Sequence, residues 1–133
     1  MNQNYRDFLS LGVLFVLVGI VGGAFGAHAL EPYLQPDALD AYHTACDYWW
    51  YQGFSLVLLS SVPLFQSLEI KTPLRMLACG GGLFSSSIML LCLDELMGVY
   101  LGWLGPVTPL GGSLIILAWI MILIQLIKTK RQG

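Results

Sequence analysis

The sequence predicts an all-helical integral membrane protein: a bundle of four transmembrane helices with a short outer interfacial amphipathic helix and both termini in the cytoplasm. Three observations predict it. Four apolar stretches, 8–30, 48–65, 74–93 and 107–127, are each close to the ~20 residues a helix needs to cross a ~30 Å hydrocarbon core. Only 11% of the residues are charged and 56% are hydrophobic, where a soluble domain carries about 25% charged residues. All Lys and Arg residues fall on one side of the resulting topology: Arg6 before the first stretch, Lys71 and Arg75 between the second and third, and Lys128, Lys130 and Arg131 after the fourth. Cytoplasmic loops collect Lys and Arg, so both termini are placed in the cytoplasm of a cell whose inner membrane holds the chain.

Four spans and short connections use nearly all of residues 1–133, which are read as one domain without room for a soluble catalytic unit. Asp7 and Glu69 are the acids of the basic side, whereas Glu31, Asp37, Asp40, Asp47, Asp94 and Glu95 lie opposite with no base among them. No basic patch on a soluble face exists, which argues against a nucleic-acid partner. The tail Lys128-Thr129-Lys130-Arg131 suits anionic headgroups. The first ~29 residues, ending Gly26-Ala27-His28-Ala29, share features of a secretory signal. Their apolar stretch is longer than a signal core and only one base precedes it, so they are read as a span.

The first span is dense in small residues toward its end. Gly19 with Gly23, and Gly22 with Gly26, share a face at four-residue spacing. In lipid, such spacing lets two helix backbones approach closely. Ala78, Gly82 and Ser86 form a similar stripe in the third span, so a tight contact between spans one and three is expected, with self-association between copies as the alternative. Between spans one and two, Pro36-Asp37 suits a helix start. Leu39, Tyr42, Cys46 and Trp49 then recur at helical spacing, with Asp37, Asp40, Thr44 and Asp47 on the other side. That pattern describes the amphipathic helix lying on the outer surface. Aromatic residues from Tyr48 to Tyr51 sit where rings collect at the membrane boundary. The fourth span opens with Pro106 and Pro109, followed by Gly111 and Gly112, which predicts a kinked start and close packing after it.

Few residues suggest chemistry. His28, Asp40, His43 and Asp47 are the weak metal-ligand candidates, since 40, 43 and 47 share a helical face; the blander assignment is a helix-end hydrogen bond for His28 and solvent for His43. Cys46, Cys79 and Cys92 form no CxxC pair and are read as structural thiols. The serines of Ser60-Ser61 and Ser85-Ser86-Ser87 lie within spans, where serine serves interhelical hydrogen bonding. No nucleophile has a base, no cofactor motif occurs, and no span carries a buried charge of the kind that marks ion paths. The chain is read as non-enzymatic and without a cofactor.

The blocks Gly22-Gly-Ala-Phe-Gly-Ala-His-Ala-Leu30, Phe84-Ser-Ser-Ser87 and Leu104-Gly-Pro-Val-Thr-Pro-Leu-Gly-Gly112 resemble those of the YgdD-like small inner-membrane proteins. That family is known as domain of unknown function 423, with transmembrane-protein-256-like relatives. The resemblance covers nearly the whole chain and implies a multi-pass membrane protein of four helices without an established activity. One departure stands out: where the family has a histidine after the tyrosine that begins span two, this chain has Gln52 after Tyr51. A glutamine still donates and accepts hydrogen bonds, so that role survives. His28, Tyr51, Gln52 and Thr108 are therefore expected to meet as one polar cluster at the outer ends of spans 1, 2 and 4. The leading expectation is a structural or accessory membrane component, in contact with lipid and with a copy of itself or another membrane protein. The alternative is a small transporter or channel subunit for an uncharged solute.

Overall fold

The computed structural model describes residues 3–68 and 70–130. Glu69 and Arg131, assigned above to the basic side, lie outside the described residues, as does the side chain of Lys130. The order is α1 (Gln3–Phe25), a π-helical turn (Gly26–Leu30), α2 (Pro36–Ser61), a short α3 (Pro63–Ser67), α4 (Lys71–Met97), a 3₁₀ turn (Gly102–Leu104) and α5 (Val107–Lys130). No strand occurs among the described residues.

Three helical segments are long and apolar enough to cross a membrane: Tyr5–Leu30, Lys71–Met97 and Gly102–Thr129. α2 is long enough but is interrupted by acids and by Gln52. The amphipathic segment and the second apolar stretch are one helix, not an interfacial helix followed by a span as expected. Nothing between Asp37 and Gln52 breaks the chain, and one buried stripe (Tyr42, Ala45, Cys46, Trp49, Gln52, Gly53, Leu56, Leu59, Ser60) runs its length. The helix stops at Val62, which Pro63 forces out of the helical region (ψ 123°).

The start of α5 also differs from expectation. The irregular turn precedes it, and the helix continues unbroken through Pro109. Pro109 is the third helical residue, where a backbone N–H has no intrahelical partner to lose.

Consecutive long helices run antiparallel. Down α1, Gly12, Gly19, Gly22 and Gly26 meet α2 at Gly53, Trp50, Cys46 and Tyr42 in turn. Gly81 of α4 meets Gln52, while Met89 meets Trp49. Gly80 of α4 meets α5 at Gly111, and Ser87 meets Thr108. Side by side, the order is therefore α1, α2, α4, α5. Gly12, Gly19 and Gly26 of α1 lie against α2, and of the α1 glycines only Gly22 also touches α4, at Met89, which corrects the expected pairing: the short connection 26–35 returns the chain directly alongside α1. Of the small stripe in α4, Gly82 makes only ordinary contact with Phe15, and Ala78 and Ser86 line an open groove. Gly23 has nothing near its missing side chain, and Gly112 meets the Phe84 ring at ordinary distance.

Leu56, Leu59, Ile70, Leu74 and Leu77 are fully buried and centre the core, with Ala118 and Ile122 of α5 against them. Leu14, Leu17 and Val21 of α1, and Ile116, Leu117 and Leu123 of α5, are half exposed or more. A continuous apolar surface of that kind marks a protein or membrane contact.

Candidate functional site

The four polar side chains that sequence reasoning grouped together lie in four different surroundings. His28 sits exposed in the π-helical turn, whose closing bond runs from the Glu31 N–H to the Gly26 carbonyl (3.1 Å). Tyr51 points outward on α2, its ring 5.6 Å from that of Tyr48. Thr108 is at the start of α5, with its hydroxyl 2.8 Å from that of Ser87 on α4. Gln52 belongs elsewhere. It lies about 24 Å along α2 from Pro36 at 1.5 Å per residue, buried between α2 and α4. The expected outer cluster does not form, because α2 begins at Pro36 and carries position 52 deep into the helix stack.

The metal candidates do not converge either. Asp40 and Asp47 are exposed, and His43 is half buried with its ring near Tyr42 and Gly26. Among the described residues no three of His, Cys, Asp and Glu gather.

Two local arrangements were missed from sequence. Toward the acidic end of α1, α2 and α4, the Tyr42 hydroxyl donates to the Gly22 carbonyl (3.0 Å), and the Trp49 indole N–H donates to the Met89 sulfur (3.3 Å). Phe15 stands edge-on to Trp49, with centroids 4.5 Å apart. The helical stripe of Tyr42, Cys46 and Trp49 was legible, but it faces α1 and α4 rather than a membrane surface. Tyr42 and Cys46 precede the apolar part of α2.

The second arrangement is the α2–α4 seam. The stem of Gln52 lies on Gly81, where a Cβ would stand 2.6 Å from the Gln52 Cγ. Gln52 is 3% exposed and its Oε1 has no hydrogen-bond partner. Ser85, one turn along α4 from Gly81, and Ser60, two turns along α2 from Gln52, are fully buried with their hydroxyl oxygens equally unpaired. Each such buried, unsatisfied group costs about 1–3 kcal/mol. The signal in sequence was Gln52 opposite a glycine-serine stripe, but the stripe that matters is Gly81 and Ser85, not Ala78, Gly82 and Ser86.

Taken together, the apolar helices and their glycine-mediated contacts define a helical membrane protein. The chain belongs to the family described as Protein of unknown function (DUF423), whose model matches residues 22–112, from the Gly22 block to the Gly112 block. It is 31% identical to a UPF0382 membrane protein of Staphylococcus haemolyticus over 121 residues, covering 91% of this chain and 95% of that one. It is 32% identical to the UPF0382 membrane protein YwdK of Bacillus subtilis over 125 residues, covering 92% and 98%. No solved structure matches the chain.

Proposed function

We propose that the chain crosses the cytoplasmic membrane four times, as a bundle of α1, α2, α4 and α5 with both termini in the cytoplasm, and serves as a non-enzymatic structural or accessory component. The observation that carries the topology is the antiparallel register of neighbouring helices. It gathers Arg6, Lys71, Arg75 and Lys128 at one end of the stack and leaves Glu31, Asp37, Asp40, Asp47, Asp94 and Glu95 toward the other. The basic end then faces the cytoplasm. α2 tolerates more polarity than its neighbours because α1 and α4 flank it, so that Gln52 meets protein rather than lipid. Close helix packing, with the histidines and acids dispersed, supports a scaffolding role alongside lipid and a membrane-protein partner or second copy.

Reporter fusions test the topology. A fluorescent protein that matures only in the cytosol should light up behind Gly133, and a phosphatase active only outside should work when inserted near Tyr33. The opposite pattern overturns the orientation. Crosslinking in native membranes tests the accessory role: a discrete higher-mass product is expected, and a chain that stays monomeric at native abundance overturns it.

A second reading, a transporter or channel subunit for an uncharged solute, is favoured by one observation. Unpaired Gln52 and Ser85 oxygens lie inside a seam that carries no charge.

A further inference from the structure

The three interhelical seams are not equally well made. Within the α1–α2 pair, Gly12 and Gly53 approach so closely that a Cβ on Gly12 would stand 2.8 Å from the Gly53 carbonyl oxygen, and one on Gly53 2.9 Å from that of Gly12. Tyr42 adds its bond to the Gly22 carbonyl. Within the α4–α5 pair, Gly80 and Gly111 make the same reciprocal approach at 2.8 Å, and Ser87 bonds Thr108. Small residues at close approach and cross-helix hydrogen bonds are what hold helices together in lipid. Each pair is thus a zipped hairpin.

The seam between the hairpins, α2 against α4, is built differently. Gln52 and Ser85 sit in it with their oxygens unpaired, and Ser60 extends the same face of α2. The seam is crossed by the weak bond from the Trp49 indole to the Met89 sulfur. Elsewhere in the described chain, buried side-chain oxygens and nitrogens have partners. Groups unpaired at 3% and 0% exposure destabilise the closed state of this seam in particular, because inside hydrocarbon neither lipid nor water relieves them.

We propose that the α2–α4 seam is a hydrogen-bonding site for a small neutral solute, entered when the α1–α2 and α4–α5 hairpins part. The Gln52 Oε1 accepts and the Ser85 hydroxyl donates or accepts, so the solute carries at least one N–H or O–H donor. A charged solute is not expected, since nothing charged lines the buried seam to neutralise it. Parting of two rigid halves around a site near mid-depth is a known way to give a membrane site alternating access. This deepens the second reading above by naming its site, and it rests on the four-span topology only for the depth of that site.

The test is the reactivity of Ser85→Cys, a near-isosteric change, toward the small neutral reagent methyl methanethiosulfonate in native membranes, with the natural cysteines replaced by serine or alanine. Ala118→Cys, also fully buried but on α5 within the α4–α5 hairpin, is the closed-seam control. Local opening sets the rate of such modification, so Ser85→Cys should react at least about tenfold faster than Ala118→Cys, and adding Gln52→Met should slow it by about tenfold, because an apolar side chain of similar length removes the orphaned oxygen. Glycerol as probe should protect the thiol by about threefold or more over dimethyl sulfoxide at equal concentration, which accepts but donates nothing. Equal rates for the two cysteines, an unslowed rate with Gln52→Met, or equal protection by both additives overturns the proposal. Thr44→Cys, exposed at the acidic end, reports topology separately. If it is modified from outside by an impermeant reagent while Ser85→Cys stays inert, the site fails and the four-span topology stands.

Discussion

Gly80 of α4 and Gly111 of α5 face each other so closely that a Cβ on either would stand 2.8 Å from the other's carbonyl oxygen. A methyl group on Gly111 would also come within 2.6 Å of the Phe84 backbone nitrogen. Backbone cannot swing aside as a flexible side chain does, so Gly111→Ala forces the two helices apart. The loss is expected to be about 1–3 kcal/mol, read as a lowered midpoint of thermal unfolding in detergent. Gly23→Ala, with open space around it, should leave the midpoint unchanged or slightly raised, since alanine is the better helix former. Equal effects at the two positions would refute the close-approach argument.

Tyr42 anchors the connected end of the α1–α2 hairpin through the Gly22 carbonyl. Tyr42→Phe keeps the ring and removes that bond together with the hydroxyl's contact to the Cys46 thiol. Stability should fall by about 0.5–1.5 kcal/mol, measured by chemical or thermal unfolding in detergent. A larger loss would mean that the ring environment had also changed.

Ser87 and Thr108 join α4 to α5 at the start of α5. Ser87→Ala and Thr108→Val each break the same bond, so the double variant should lose less than the sum of the two. The coupling expected for such a pair is about 0.6 kcal/mol, with an upper bound near 1.7. Strict additivity would show that the hydroxyls are independent.

The cysteines should differ in reactivity by position. Cys79 is exposed on α4, whereas Cys46 is buried beneath Gly22 and Met89. Maleimide has to reach the thiolate to modify it. In detergent, Cys79 should be modified first, with Cys46 following slowly. Prompt labelling of Cys46 at neutral pH would contradict its burial.

Much of the architecture was legible along the chain. Apolar length placed the segments that became α1, α4 and α5, and Pro36 marked the start of α2; its end at Ser61 was missed, because the apolar stretch was read through Pro63 to residue 65. The glycines of α1 announced a close approach, though not its partner. A small-residue face says that a backbone will come near; spacing within one helix carries no information about which helix supplies it. The polar cluster failed for a related reason. Position 52 was assigned to an outer boundary because the apolar stretch begins at Tyr48, but α2 starts twelve residues earlier, at Pro36, and keeps one buried stripe throughout.

Sequence alone therefore determined what α1, α4 and α5 must be: apolar enough for lipid, bounded by prolines and charges, and bare of side chains where backbones touch. Those properties are local, set by hydropathy, backbone sterics and the cost of moving charge into hydrocarbon. Tertiary structure alone decided which bare faces pair, and that Gln52 and Ser85 are shut into the one seam that leaves their oxygens unpaired. Pairing is a competition among several similar surfaces, won by the reciprocal fit of Gly12 with Gly53 and of Gly80 with Gly111, and such a fit exists only between helices already side by side.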